Sequence, residues 1–173
     1  MSRGDTLSKF FIRTGLLLSA LVLAACSSTG TLQQTQSNNQ QIRPNSVAAL
    51  TVTSPSDSES LEAAEEIRSR LFGQLVSQGL FDQIVPPSKP ADYELSVALS
   101  GISEVSQGAR IFLGVLAGSN SLSANVKLID KSNGAIARAF VVGGESASHP
   151  MSSENGMGDA IREASSKIVQ ALR

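Results

Sequence analysis

One thiol and one imidazole carry most of the reactive chemistry in this chain, since Cys26 is its only cysteine and His149 its only histidine. Cys26 follows a positive stretch with Arg3, Lys9 and Arg13, an apolar run over 16–25 broken only by Ser19, and the small residues Ala24 and Ala25. That three-part layout is the layout of an export signal. The apolar run is too short to span a bilayer, which takes about 20 residues. A lone thiol in an exported chain forms no internal disulfide, and it excludes zinc clusters and dithiol redox chemistry. His149 stands in Ser148-His149-Pro150. Metal sites gather several His or Cys ligands, so it is weak as a ligand, and neither a metal nor a cofactor is expected.

The stretch Leu23-Ala24-Ala25-Cys26 resembles the lipobox of bacterial lipoproteins. The resemblance implies cleavage between Ala25 and Cys26, a diacylglycerol on the Cys26 thiol and a fatty acid such as palmitate on the new amine. One acyl chain anchors only marginally at about 0.8 kcal/mol per buried methylene, whereas two or three hold firmly. Ser27 stands where lipoproteins retained in the inner membrane often carry Asp. The expected address is therefore the cell envelope, on the outer membrane and facing the periplasm, with the membrane as first partner through Cys26.

Other reactive combinations are weaker. A Ser-His-Asp triad could draw on His149 with Asp92, Asp130 or Asp159, but no nucleophile-elbow pattern accompanies the many serines. No catalytic residue is therefore expected. Gly156-Met157-Gly158 before the last helical pattern lacks a full phosphate-binding fingerprint, and Glu154 and Asp159 beside it disfavour an anion. Glu62, Glu65 and Glu66 read as a solvated helix face. The most unusual internal segment is 110–118, apolar and glycine-spaced. Ile111, Phe112, Leu113, Val115 and Leu116 form either an exposed loop that binds a partner or contacts the membrane, as exposed apolar patches do, or, with more weight, a bulged strand or short helix packed in the core.

The elements that must hold these residues can be read from pattern. With residues 1–25 as signal peptide, 26–46 reads as a lipidated Cys and flexible tether. Its Gln/Asn-rich composition cannot offset its ordering entropy. A globular domain over 47–173 follows. Val47 to Thr53 suits a first strand. Ala63, Ile67, Leu71 and Leu75, widened by Leu61, Ala64 and Phe72, make an amphipathic helix over about 57–78, with Ser56 as N-cap, Glu59 completing a capping box and Gly79 at the C-terminal end. Leu80 to Val85 suits a short strand. Tyr93 begins a period-two strand to about Val105 with an irregularity at Gly101. A second alternating strand, 121–128, turns through Asn133-Gly134, a pair suited to positive φ, into a partner ending at Gly143-Gly144. Ile161, Ala164, Ile168 and Leu172 align on a last helix over about 158–172.

The order β-α-β-β-β-β-α with short turns predicts an α+β fold. The expected form is an antiparallel meander of about four to five strands with two amphipathic helices packed on one face, a two-layer sandwich. The whole chain carries a net charge of −1, and residues 1–25 remove Arg3, Lys9 and Arg13 against Asp5, so the remainder is more acidic still. That argues against nucleic acid. The absence of Trp, with Tyr93 the only tyrosine, argues against aromatic platforms for sugars or bases.

Taken together, Ala91-Asp92-Tyr93-Glu94-Leu95, the Gly114 to Gly118 spacing and Ala124 to Asp130 ending in Asn133-Gly134 are similar to the bacterial lipoprotein family of domain of unknown function 4410, over about residues 47–172. The resemblance implies an exported α/β domain and brings no catalytic residue with it. The functional expectation is a non-enzymatic interaction or assembly module, paired with an envelope protein or with copies of itself. The alternative is a ligand-binding or hydrolytic envelope protein with an unrecognised pocket.

Overall fold

In the computed structural model of the chain, residues 28–37, 41–105, 118–146 and 156–173 are described. Six strands, β1 (Thr29–Ser37), β2 (Val47–Thr53), β3 (Gln83–Val85), β4 (Tyr93–Ser103), β5 (Ser121–Asp130) and β6 (Ala135–Glu145), form one sheet in the order β1-β6-β5-β4-β2-β3. Two helices, α1 (Ser58–Ser77) and α2 (Gly156–Leu172), supply the second layer.

The sheet is mixed, which corrects the expectation of an antiparallel meander of four to five strands. β4, β5 and β6 are antiparallel neighbours as expected, but β2 pairs in parallel with both β3 and β4. The cause is chain length. The 20 residues of α1 span about 30 Å and return the chain to the start of β2, so the next strand must run the same way. Residues 86–92, with Pro86, Pro87 and Pro90, then carry it to the other flank of β2, and Tyr93 begins β4 opposite Ala48.

The expected tether is corrected as well. Residues 29–37 form β1, which pairs antiparallel with β6 from Thr29↔Glu145 to Ser37↔Arg138. The Gln/Thr composition hid it because an edge strand whose side chains mostly face water needs no apolar alternation. Leu32 is 42 % exposed and its neighbours are exposed as well. The globular unit therefore begins near residue 28 rather than 47.

The helices form where periodicity places them. Asp57, not Ser56, caps α1: its carboxylate accepts a hydrogen bond from the Ser60 N–H at 2.8 Å. At the other end Gly79, at φ 67°, allows Gly79 N–H to reach Val76 O at 2.9 Å and Leu80 N–H to reach Leu75 O at 3.1 Å. That paired arrangement is a Schellman stop. Ala63, Ala64, Ile67, Leu71 and Leu75 are buried. Leu61 and Phe72, expected to widen that inner stripe, are instead more than half exposed. Ile161, Ala164, Ile168 and Leu172 of α2 join Leu95, Val97, Val126, Leu128 and Phe140 in a single core.

β4 carries its irregularity between Leu99 and Gly101. Gly143 and Gly144 lie inside β6 rather than closing it. The reason is close approach. A Cβ on Gly144 would stand inside contact with the Ala160 carbonyl, and one on Gly143 would meet Thr31 Oγ1 at 2.5 Å.

Candidate functional site

The most elaborate polar cluster among the described residues sits where β4 begins and β5 ends. Tyr93 and Asp130 are cross-strand partners. The Tyr93 ring is buried against Phe81, with centroids 5.9 Å apart, and its hydroxyl accepts a hydrogen bond from the Arg43 N–H at 3.2 Å. The Arg43 guanidinium stands 4.8 Å from the Tyr93 ring centroid, close enough for a cation–π contact. It also lies 3.2 Å from Asp130 Oδ1. Asn45, at φ 57°, turns the chain just after Arg43, a conformation Asn tolerates better than most residues.

Asp130, 1 % exposed, also accepts from the Ser132 hydroxyl at 2.6 Å and the Ser132 N–H at 2.9 Å. These bonds, the Ser132 hydroxyl first and then its N–H, hold the Asp130 carboxyl below its ordinary value, and the Arg43 charge adds to the effect. Asp92 accepts from Val47 N–H at 2.8 Å and donates its own N–H to Val47 O at 2.9 Å, locking β2 beside β4. The chemistry of this cluster is a clasp: its carboxylates are engaged in bonds that shape the turn and strap residues 41–46 across the sheet end.

A second feature is a cavity of about 430 Å³ between the N-terminal halves of α1 and α2 and the end of β4. Glu59, Glu62, Glu66, Glu104 and Asp159 face it, with Arg70 and Arg162. Arg70 pairs with Glu66 at 2.8 Å and Arg162 with Asp159 at 2.7 Å. Glu62 and Glu66, expected on a solvated face, thus line a cavity, while Glu65 pairs outward with Arg68. Gly158 lies here too, and Glu66 Oε1 would stand 3.7 Å from its Cβ, so the helix start offers no seat for an anion.

A third feature is apolar. Leu50, Phe72, Ile84, Val85, Pro86 and Pro87 border a groove of about 460 Å³ beside β3. Phe72 continues it onto the outer face of α1. There Leu61, Phe72 and Val76, 54, 53 and 39 % exposed, fall within an arc of about 60° at 100° per residue.

The three carboxylates offered as alternatives for a triad lie in different places. Asp92 and Asp130 stand at the sheet end where β4 begins, whereas Asp159 pairs with Arg162 at the start of α2. His149, Ala25, Cys26 and the segment with Ile111, Phe112, Leu113, Val115 and Leu116 lie outside the described residues. The strand ends flanking that segment, Ser103 and Ser121, are paired with each other. Among the described residues no group of three or more His, Cys, Asp or Glu could hold a metal, and no helix is long and apolar enough to cross a membrane. Arg43 was missed by sequence reasoning because it sits in the polar stretch before β2. Its only signal was a cation beside Pro44 in an otherwise uncharged run.

A family model described as "Domain of unknown function (DUF4410)" matches residues 31–172. No curated protein matches the chain. Among solved structures, a leucine-to-methionine variant of the PelC dodecamer from Paraburkholderia phytofirmans aligns with TM-score 0.57 and 20 % identity, covering 84 % of this chain and 100 % of that one. A second PelC dodecamer from the same organism aligns with TM-score 0.54 and 22 % identity, covering 83 % of this chain and 96 % of that one. At these identities the likeness is one of fold.

Proposed function

We propose that this chain, which belongs to the DUF4410 family, is a lipid-anchored envelope protein that works as a non-enzymatic assembly module, joining copies of itself through the outer face of α1. The observation that carries the reading is exposed Phe72, with Val76 one turn further along α1, beside the groove of Leu50, Ile84 and Pro86 that Phe72 lines. Exposed apolar side chains beside an apolar groove normally meet a partner. The PelC structures, dodecamers by description, share the fold. A ring needs two different faces on each subunit, and the α1 face and the opposite edge at β1 are two such faces. Engagement of Asp92 and Asp130 in structural bonds further favours a non-enzymatic role. The Leu23-Ala24-Ala25-Cys26 stretch supports a lipid anchor at Cys26, with the outer membrane facing the periplasm as the address.

Light scattering after size exclusion, on the full chain in mild detergent, tests the assembly. The expected result is a defined oligomer that Phe72→Asp reduces to monomers of unchanged circular dichroism. A monomer at every concentration would sink it. For the anchor, Cys26→Ala is expected to abolish fatty-acid incorporation, and palmitate labelling that survives the change would overturn the lipoprotein reading. A second reading, a ligand-binding envelope protein, draws on the acidic cavity between the helices. Calorimetric binding of a cationic solute that Glu62→Gln abolishes would favour it.

A further inference from the structure

We infer that the domain rests directly on the lipid headgroups with one defined end of its sheet, the end at which β1 begins. The inference rests on lipidation of Cys26 as proposed above and adds the orientation and the contact surface. Cys26 precedes Thr29 by three residues, and three residues reach about 10 Å even when fully extended. Thr29 itself is held in the sheet: it pairs with Glu145, Glu145 with Ser121, and Ser121 with Ser103. These four residues make one row across β1, β6, β5 and β4.

The start of β1 is also tied to α2. Ser28 Oγ donates to Glu163 Oε1 at 3.2 Å, and Gly30 lies against the Lys167 side chain. Four strands at about 4.8 Å spacing make a row roughly 15 Å wide, so an anchor at its corner keeps the whole row near the headgroups. The opposite end is remote: the eleven residues of β4 put Tyr93 and the Lys131 turn about 35 Å from Ser103.

The described residues of the near end offer polar groups to the headgroups. Thr29, Ser103, Glu104 and Glu145 are exposed there, and burying their polar and charged groups in lipid would be costly. The acyl chains supply the attachment, and the row from Thr29 to Ser103 supplies polar groups that meet the interface. With the strands standing on the bilayer, exposed Phe72 and Val76 of α1 face sideways, where neighbouring anchored copies arrive.

The chain contains no Trp, so single-tryptophan variants of the full lipoprotein report position without background. Ser103→Trp, Glu145→Trp and Lys131→Trp are reconstituted in phosphatidylcholine vesicles carrying a dansyl-labelled phosphatidylethanolamine. Energy transfer to dansyl is expected to be severalfold greater from positions 103 and 145 than from 131. Inserting a flexible linker of about ten Gly/Ser residues between Ser27 and Ser28 should lower it. Equal transfer from both ends, in protein whose Cys26 carries acyl chains by mass spectrometry, overturns the orientation alone. A product without acyl chains at Cys26 overturns the anchor reading, and the orientation falls with it.

Discussion

Gly30 of β1 and Gly144 of β6 are cross-strand partners, and α2 lies directly over both. Their tolerance differs because their neighbours differ. A Cβ on Gly144 would meet main chain, 2.9 Å from the Ala160 carbonyl carbon and 3.0 Å from Ala164 N. One on Gly30 would meet Lys167 Cγ at 2.8 Å, part of a flexible side chain. Gly144→Ala is therefore expected to lower stability by about 1–3 kcal/mol, the usual range for overpacking. Gly30→Ala should cost clearly less, and urea denaturation of the two variants checks the order. Equal losses would mean that α2 does not lie on the β6 backbone.

Deleting residues 28–37 is expected to destabilise the domain and make it self-associate. β1 covers β6 along nine residues, and its loss bares a long edge of unpaired N–H and C=O groups. A chain starting at residue 41 should show a lower urea midpoint and rising light scatter compared with one starting at 28. Matching behaviour would return this segment to the status of a tether.

Acid should weaken the clasp at Asp130. Its folded carboxyl lies below the ordinary value, held there first by the Ser132 hydroxyl. The unfolded chain therefore takes up the proton more readily than the folded one. This contribution is complete above the unfolded value near 3.9 and is lost as pH falls from there through the folded value. Asp130→Asn is expected to lower the urea midpoint at neutral pH and to flatten its decline below about pH 4. A variant with the wild-type acid slope would remove Asp130 from the account.

The two adjacent cap candidates of α1 should separate cleanly. Asp57→Ala removes the acceptor for Ser60 N–H and is expected to lower the thermal midpoint. Ser56→Ala, one residue outside the cap, should leave it nearly unchanged. Asp57 is also held below its ordinary value, first by the Ser60 N–H. Its variant should therefore lose part of the same acid dependence as Asp130, which a pH series on the double variant would show.

Local chemistry determined much of this protein. The spacing from Ala63 to Leu75 and from Ile161 to Leu172 marked both helices, and Tyr93-Leu95-Val97-Leu99 marked a strand with one buried face. Asn133-Gly134 marked the hairpin, where Gly134 takes φ 72° and the Asp130 side chain caps the turn. Each of these signals acts over a few residues, so each is written in consecutive sequence. What decided the rest were pairings between distant segments. Thr29 finds Glu145 across more than a hundred residues, β2 enters between β3 and β4, and Arg43 closes on Tyr93 and Asp130. β1 left no alternation to read because its side chains mostly face water and its bonds are made by the main chain, which looks the same in every sequence. Only the assembled sheet could place β1, and with it the end of the domain nearest Cys26.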